Sequence, residues 1–455
     1  MTGVTGQPEP EGALPAGNGL EPSAPASRVA SLRAHLDAPL FRNAYALVVN
    51  TGITAVLGFM YWVIAARLFT THDVGLAAAA ISAMTLLAGI SLLNLEAVLV
   101  RFIPIAGRQT RRLVLGVFGG CTLLALLAST IFIAGLPIWT PSLDFLVTHY
   151  NGLGFIGATL AWIYFVLLDG ILVGLGRAVW VPVENALFGV AKLALLLAFV
   201  GAGPFGIFAS WTLSAALVVI PFALLILLRF IPAHMEKPVP GGAELTRETF
   251  RSYAAGDYVG SVFDLAAISL LPLIVTHWAG AVENAYFYQS WIIAYTLILV
   301  ANNTARALTV EAARDASQLH SYGRVVLKHT LKLLIPAVAG VFILAPWILS
   351  VFGPAYAAEG TLTLRILALA ALPHTVILQG LVTARLQHQL RVVIAIQSAI
   401  AIITLGTAIL LVEQMGSLGA AIGWLAAQSL VAAVLLATYV RWLVRGDGSP
   451  RTAAH

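Results

Sequence analysis

From about residue 43 onward the chain alternates long apolar runs with short polar breaks. The runs fall at 43–68, 74–100, 112–136, 152–174, 179–201 and 205–229, then at 252–277, 284–310, 325–352, 361–384, 391–412 and 417–441. About 20 apolar residues in a helix cross the roughly 30 Å hydrocarbon layer of a bilayer, so the pattern predicts twelve transmembrane helices. The polar stretch His234–Arg251 divides them into halves at 37–233 and 251–444, joined by a linker at 234–250. Residues 1–36 are rich in Pro, Gly, Glu and Ala and read as a disordered tail, as do 445–455. The N-terminal stretch is acidic and has no apolar core, so it does not read as a signal peptide. Arg28–Leu40 has a helical alternation with two arginines, fitting either a helix on the membrane surface or a plain lead-in to the first span.

Composition agrees with this pattern. The chain is 60% hydrophobic and 10% charged, against about 25% charged in soluble domains. An all-α integral membrane protein is expected. A single cysteine, Cys121, excludes an intrachain disulfide and a cysteine-based metal site, and no metal or organic cofactor is expected. The net charge of +5 is concentrated in alternate connections. Arg28, Arg33 and Arg42 precede the first span, Arg101, Arg108, Arg111 and Arg112 follow the second, and Arg441, Arg445 and Arg451 close the chain. Basic connections stay cytoplasmic, which places both termini inside a cell membrane and makes a nucleic-acid partner a poor reading of the charge. The outer connections are short, so no external domain holds a catalytic centre.

The halves resemble one another. At an offset of 210 residues Asp73 falls on Glu283, Gly170 on Gly380, and Glu96 and Arg101 on Arg306 and Glu311 with signs exchanged. At an offset of 213, Gly206 to Trp211 falls on Gly419 to Trp424. Six helices per half gives both halves one orientation, related by an axis along the membrane normal.

Polar residues in the spans mark candidate chemistry, because charge at membrane depth is costly and usually faces a cavity or a partner. Asp257, Ser261 and Asp264 recur at helical spacing, with Asn50, Thr51 and Thr54 on the matching first helix. Tyr295, Asn302 and Arg306 share a second face beside Asn303, and Asn94 and Arg101 lie seven apart on its counterpart. These four helices are expected to line a central cavity between the halves. Asp257 and Asp264 fit either substrate passage with cation coupling or plain helix-to-helix pairing. Near the cytoplasmic ends, pseudo-symmetry sets Glu96 against Arg306 and Arg101 against Glu311, a candidate gate. Interfacial solvation is the alternative for all four. Lys192 either neutralises Asp169 or Glu184 or faces the cavity.

Certain phrases carry a resemblance. Phe41-Arg42-Asn43, Ala65-Ala66-Arg67-Leu68-Phe69, His72-Asp73-Val74-Gly75-Leu76, Val100-Arg101-Phe102-Ile103-Pro104 and Gly416-Ser417-Leu418-Gly419-Ala420-Ala421-Ile422-Gly423 resemble the polysaccharide and oligosaccharide flippases of the multidrug/oligosaccharidyl-lipid/polysaccharide exporter superfamily. The resemblance covers about residues 42–441. It implies two pseudo-symmetric six-helix bundles around a central cavity. It also implies alternating access, driven by H+ or Na+, in the bacterial plasma membrane. The substrate it implies is a lipid-linked oligosaccharide or related glycan, handled by a monomer that works with polysaccharide assembly enzymes. Asp257 and Asp264 depart from a purely cationic cavity and fit the alternative, a cation-coupled exporter of drugs or metabolites. An enzyme is not expected. Membrane glycosyltransferases need paired acids in an early external loop, where this chain has only His72-Asp73, and ligases need a long external loop.

Overall fold

The structure is a computed structural model describing residues 39–148, 152–236, 258–314, 319–441 and 443, with side chains at 39–45, 48, 148, 304–314 and 319–321 left out. The expected tails, the linker 237–250 and Asp257 lie outside the described residues. Seven principal helices form the first half: α1 (Pro39–Leu68), α2 (Thr71–Leu92), α3 (Leu95–Ala106), α4 (Thr110–Trp139), α5 (Leu153–Gly174), α6 (Val181–Ala198) and α7 (Gly203–Leu225). Seven form the second: α8 (Tyr258–Trp278), α9 (Ala281–Arg314), α10 (Leu319–Ser350), α11 (Pro354–Leu369), α12 (Ala371–Leu386), α13 (Leu390–Met415) and α14 (Ser417–Ala437).

Among the described residues, 11 helical stretches are long and apolar enough to span a membrane. The remaining expected span is α9, 34 residues long. Asn284, Gln289 and Ser290, all fully buried, make it more polar than the others. The expected single helix 74–100 is broken. Leu93 and Asn94 both take left-handed backbone, with φ of 46° and 58°, so the helical hydrogen-bond ladder stops and restarts as α3. Asparagine tolerates that conformation. The expected span 361–384 is likewise two helices, α11 and α12, meeting at Ala370.

The halves repeat their packing. α1 lies on α6 and α6 on α7, as α8 lies on α13 and α13 on α14. Asp73 and Glu283 serve equivalent ends. Asp73 lies beside Gly203, where α7 begins, and Glu283 Oε2 accepts a hydrogen bond from the Ser417 amide, 2.9 Å, where α14 begins. A carboxylate there satisfies an orphan amide and the positive end of the helix dipole. Gly206 and Gly419 also correspond. Each presses its last helix onto the helix before it, and a Cβ on Gly419 would lie 2.7 Å from the Leu411 carbonyl oxygen.

Lipid supplies no hydrophobic force between helices, so close association relies on small residues that let backbones approach. α2 has them: Ala77, Ala78, Ala79 and Ala80 are fully buried. It packs on α5 and α7 of its own half and on α8 and α9 of the other, and so forms the seam of the molecule. Outward faces stay apolar, with Leu123, Leu127 and Ile131 on α4, Leu217 and Ile220 on α7, and Ile343 and Trp347 on α10 all exposed.

Candidate functional site

The halves are joined most specifically at one end of the bundle, where α1 and α10 finish and α2 and α9 begin. Gly75 meets the backbone of Ala281 so closely that a Cβ there would overlap the Ala281 carbonyl. Asn284 Nδ2 donates to the Gly75 carbonyl at 2.7 Å. Arg67 reaches across to the end of α10, donating from Nε to Val351 O at 2.8 Å and from Nη2 to Ser350 O at 2.7 Å. A guanidinium at a helix C-terminus satisfies orphan carbonyls and the negative end of the dipole. Phe59 meets Phe352 and Trp62 meets Tyr288 in the same region, with ring centroids 5.4 and 4.8 Å apart.

Beyond that end the two seams differ. α8 follows α2, with Tyr258 Oη donating to Ile90 O at 2.9 Å. Between α2, α4 and α8 lies a cavity of about 360 Å³, lined almost wholly by apolar side chains such as Leu86, Phe132, Leu270 and Trp278, with His277 at one side.

A polar pocket lies within the second half. Its volume is about 120 Å³. Asp264 and Ile268 come from α8, and Tyr295, Ile298 and Asn302 from one face of α9. His374, Leu378, Leu381 and Arg385 come from one face of α12, Gln397 from α13 and Trp424 from α14. His374 Nδ1 lies 3.1 Å from Gln428 Oε1, which fixes the ring against α14. Three buried polar atoms, Gln397 Oε1, Trp424 Nε1 and His374 Nε2, have no hydrogen-bond partner among the described residues. Buried polar groups are nearly always paired, so these describe a site shaped for a ligand or water. A carboxylate, a guanidinium, an imidazole and an amide around a small apolar floor suit the binding of a polar or charged solute.

The sequence-derived candidates divide accordingly. Asp264 and Asn302 line the pocket. Ser261 is half-buried one turn before Asp264, and Asn303 is exposed. Thr54 spends its hydroxyl on Asn50 O at 2.8 Å, within its own helix, while Asn50 Oδ1 is buried without a described partner. Asn94 is the left-handed residue that opens α3. Glu96 follows it and lies against Gly170 of α5, and Arg101 is exposed, its guanidinium 5.9 Å from the Phe102 ring centre. Arg306 and Glu311 sit on the α9 backbone with side chains outside those described. His374, Gln397 and Trp424 were missed in the sequence. They stand on three successive helices, and the signal that could have found Trp424 is its alignment with Trp211.

In the first half the corresponding region is packed by its own side chains. Asn185 Nδ2 donates to Asp169 Oδ1 at 3.1 Å, and Glu184 is fully buried with neither carboxylate oxygen hydrogen-bonded among the described residues. Lys192 does not neutralise either acid. Lys192 Nζ instead lies over the rings of Trp211, Tyr61 and Phe188.

Comparison with protein-family models finds no match, and neither does comparison with curated protein sequences. Solved structures are similar in fold. An inward-facing multidrug resistance MATE family transporter of the MOP superfamily superposes with a TM-score of 0.62 at 16% identity, covering 87% of this chain and 98% of that one. A MATE structure in complex with MaL6 gives 0.60 at 16% identity over 89% and 96%. A MOP superfamily transporter from Pyrococcus furiosus, described as having a binding pocket of reverse polarity, gives 0.60 at 15% identity over 89% and 96%. The chain therefore has the fold of the MATE transporters of the MOP superfamily.

Proposed function

We propose that this protein is a cation-coupled exporter of small organic cations or polar metabolites, working by alternating access between its halves. The observation that carries the reading is the polar pocket around Asp264, enclosed by five helices of one half within a two-half transporter fold. A half-buried carboxylate beside unpaired donors and acceptors can hold either a protonated amine or a coupling cation. Competition between the two for Asp264 supplies exchange without any further cofactor.

The basic connections support a bacterial plasma membrane with both termini on its cytoplasmic side. On that orientation the joined end, at Gly75 and Arg67, faces outward. An outward-open state then needs closure at the other end, and Glu96 and Arg101 with Arg306 and Glu311 are the charged groups proposed to supply it. Asn50, Thr54, Ser261 and Asn303 belong to the pathway rather than to the pocket.

A second reading, flipping of a lipid-linked oligosaccharide, is favoured by the apolar cavity of about 360 Å³ between the halves, a suitable place for a lipid tail. Proteoliposomes with an imposed proton or sodium gradient separate the two. Gradient-dependent extrusion of a fluorescent organic cation, with no movement of a fluorescent polyprenyl-pyrophosphate sugar, is the expected result. Flipping of the lipid-linked sugar with no cation transport would establish the second reading instead.

A further inference from the structure

The buried ammonium of the first half is held by rings rather than by acids. Lys192 Nζ lies 4.2 Å from the ring centre of Trp211 and 4.9 Å from those of Tyr61 and Phe188. The residue is 4% exposed. Its cage is rigid. Tyr61 Oη donates to Ile207 O at 2.7 Å and lies 2.9 Å from Ser210 Oγ, and Trp211 is wedged against Trp162 and Phe188 with centroids 5.8 Å away in each case. Three aromatic faces around one ammonium is the arrangement by which proteins recognise organic ammonium ligands.

Internal symmetry gives the cage a meaning. At the offset of 213 residues Trp211 corresponds to Trp424, Glu184 to Gln397 and Lys192 to Leu405. Trp424 and Gln397 line the open pocket of the second half. The same location in the bundle is thus an open polar pocket in one half and a filled aromatic box in the other. We propose that the box is an organic-ammonium site whose ligand is the chain's own Lys192, tethered by α6. A soluble cation is thereby kept out of the first half, and solute binding is confined to the second. That last consequence rests on the exporter reading; the box itself does not.

Removing the tether should expose the site. Lys192→Ala and Lys192→Ser leave the box empty, whereas Lys192→Met refills it with an apolar chain. Thermal unfolding is followed in detergent with n-butylammonium, tetramethylammonium or the neutral n-butanol. The expected result is a lower midpoint for the Ala and Ser variants, raised saturably by about 2–4 °C with either ammonium and unmoved by butanol. Wild type and Lys192→Met should not respond, and adding Trp211→Leu to Lys192→Ala should remove the response. If the emptied variants can be purified only when extracted with an ammonium present, the proposal also stands. An equal response to butanol, no response to any ammonium, or failure of both variants to fold with ammonium present would overturn it. Transport by wild type together with a negative result here would remove the box while leaving the exporter reading intact.

Discussion

Gly75→Leu should separate the two halves at their joined end and lower the stability of the purified protein more than any other single apolar substitution on α2. The position has no room even for a methyl group. A Cβ would fall on the Ala281 carbonyl and 3.1 Å from the Ala285 amide nitrogen. These atoms are backbone on a packed helix, so no side chain can swing away to relieve the overlap. Overpacking in a filled core costs about 1–3 kcal/mol, and a displaced α9 also loses the Asn284–Gly75 hydrogen bond, about 1 kcal/mol more. Gly75→Ala should show the same change at smaller size. Gly58→Leu is the control, because a Cβ on Gly58 of α1 meets nothing within 4 Å. Unfolding midpoints of the four proteins in detergent check this: Gly58→Leu should match wild type and Gly75→Leu should fall well below it. Equal midpoints for all four would mean that the backbones of α2 and α9 do not meet as described.

Asp264→Asn should cut transport at least ~10-fold while leaving the fold in place. Asparagine keeps the size of the side chain and its contacts with α9, so the pocket retains its shape. What it loses is the negative charge available to an ammonium or a coupling ion. A hydrogen bond to a charged group contributes roughly 1.5–3 kcal/mol, and 1.4 kcal/mol is a factor of about ten in affinity. Asn302→Ala, on the same pocket but neutral, should cost less. Initial rates in proteoliposomes, compared at equal protein incorporation, give the ratio. Full activity of Asp264→Asn would remove Asp264 from the transport path.

Much of this was legible in the chain. Apolar runs place the spans because a bilayer demands a length, and Asp73 with Glu283, or Gly206 with Gly419, shows the repeat because equivalent ends need equivalent caps and contacts. Asp264 and Asn302 were found because polar side chains stand out against lipid-like neighbours. What could not be read was which helices those side chains face. Asp264 turns toward α9, α12, α13 and α14, inside its own half, and that depends on helix rotation, which a polar stripe alone leaves open. The break at Leu93–Asn94 was also hidden, since Leu93 is a good helix former and adopts left-handed backbone only in its tertiary setting. For Lys192 the sequence leaves an ion pair and a cavity position both open, because rings on other helices cannot be matched to it from their positions in the chain. Its partner Tyr61 lies far away along the chain, and Trp211 stands on the next helix.

Alternating access requires the halves to part and rejoin at the end where Arg67 now meets α10. Leu68 and Val351 flank that contact on opposite halves, and both are exposed, at 45% and 43%. Since Cys121 is the chain's only cysteine, spin labels can be placed at 68 and 351 in a Cys121→Ser background. Electron–electron distance measurement in lipid should give a short separation at rest. A second, longer population should grow when the transported cation or the coupling gradient is supplied. A single short distance, unchanged under conditions where the same labelled protein transports, would contradict alternating access between these halves.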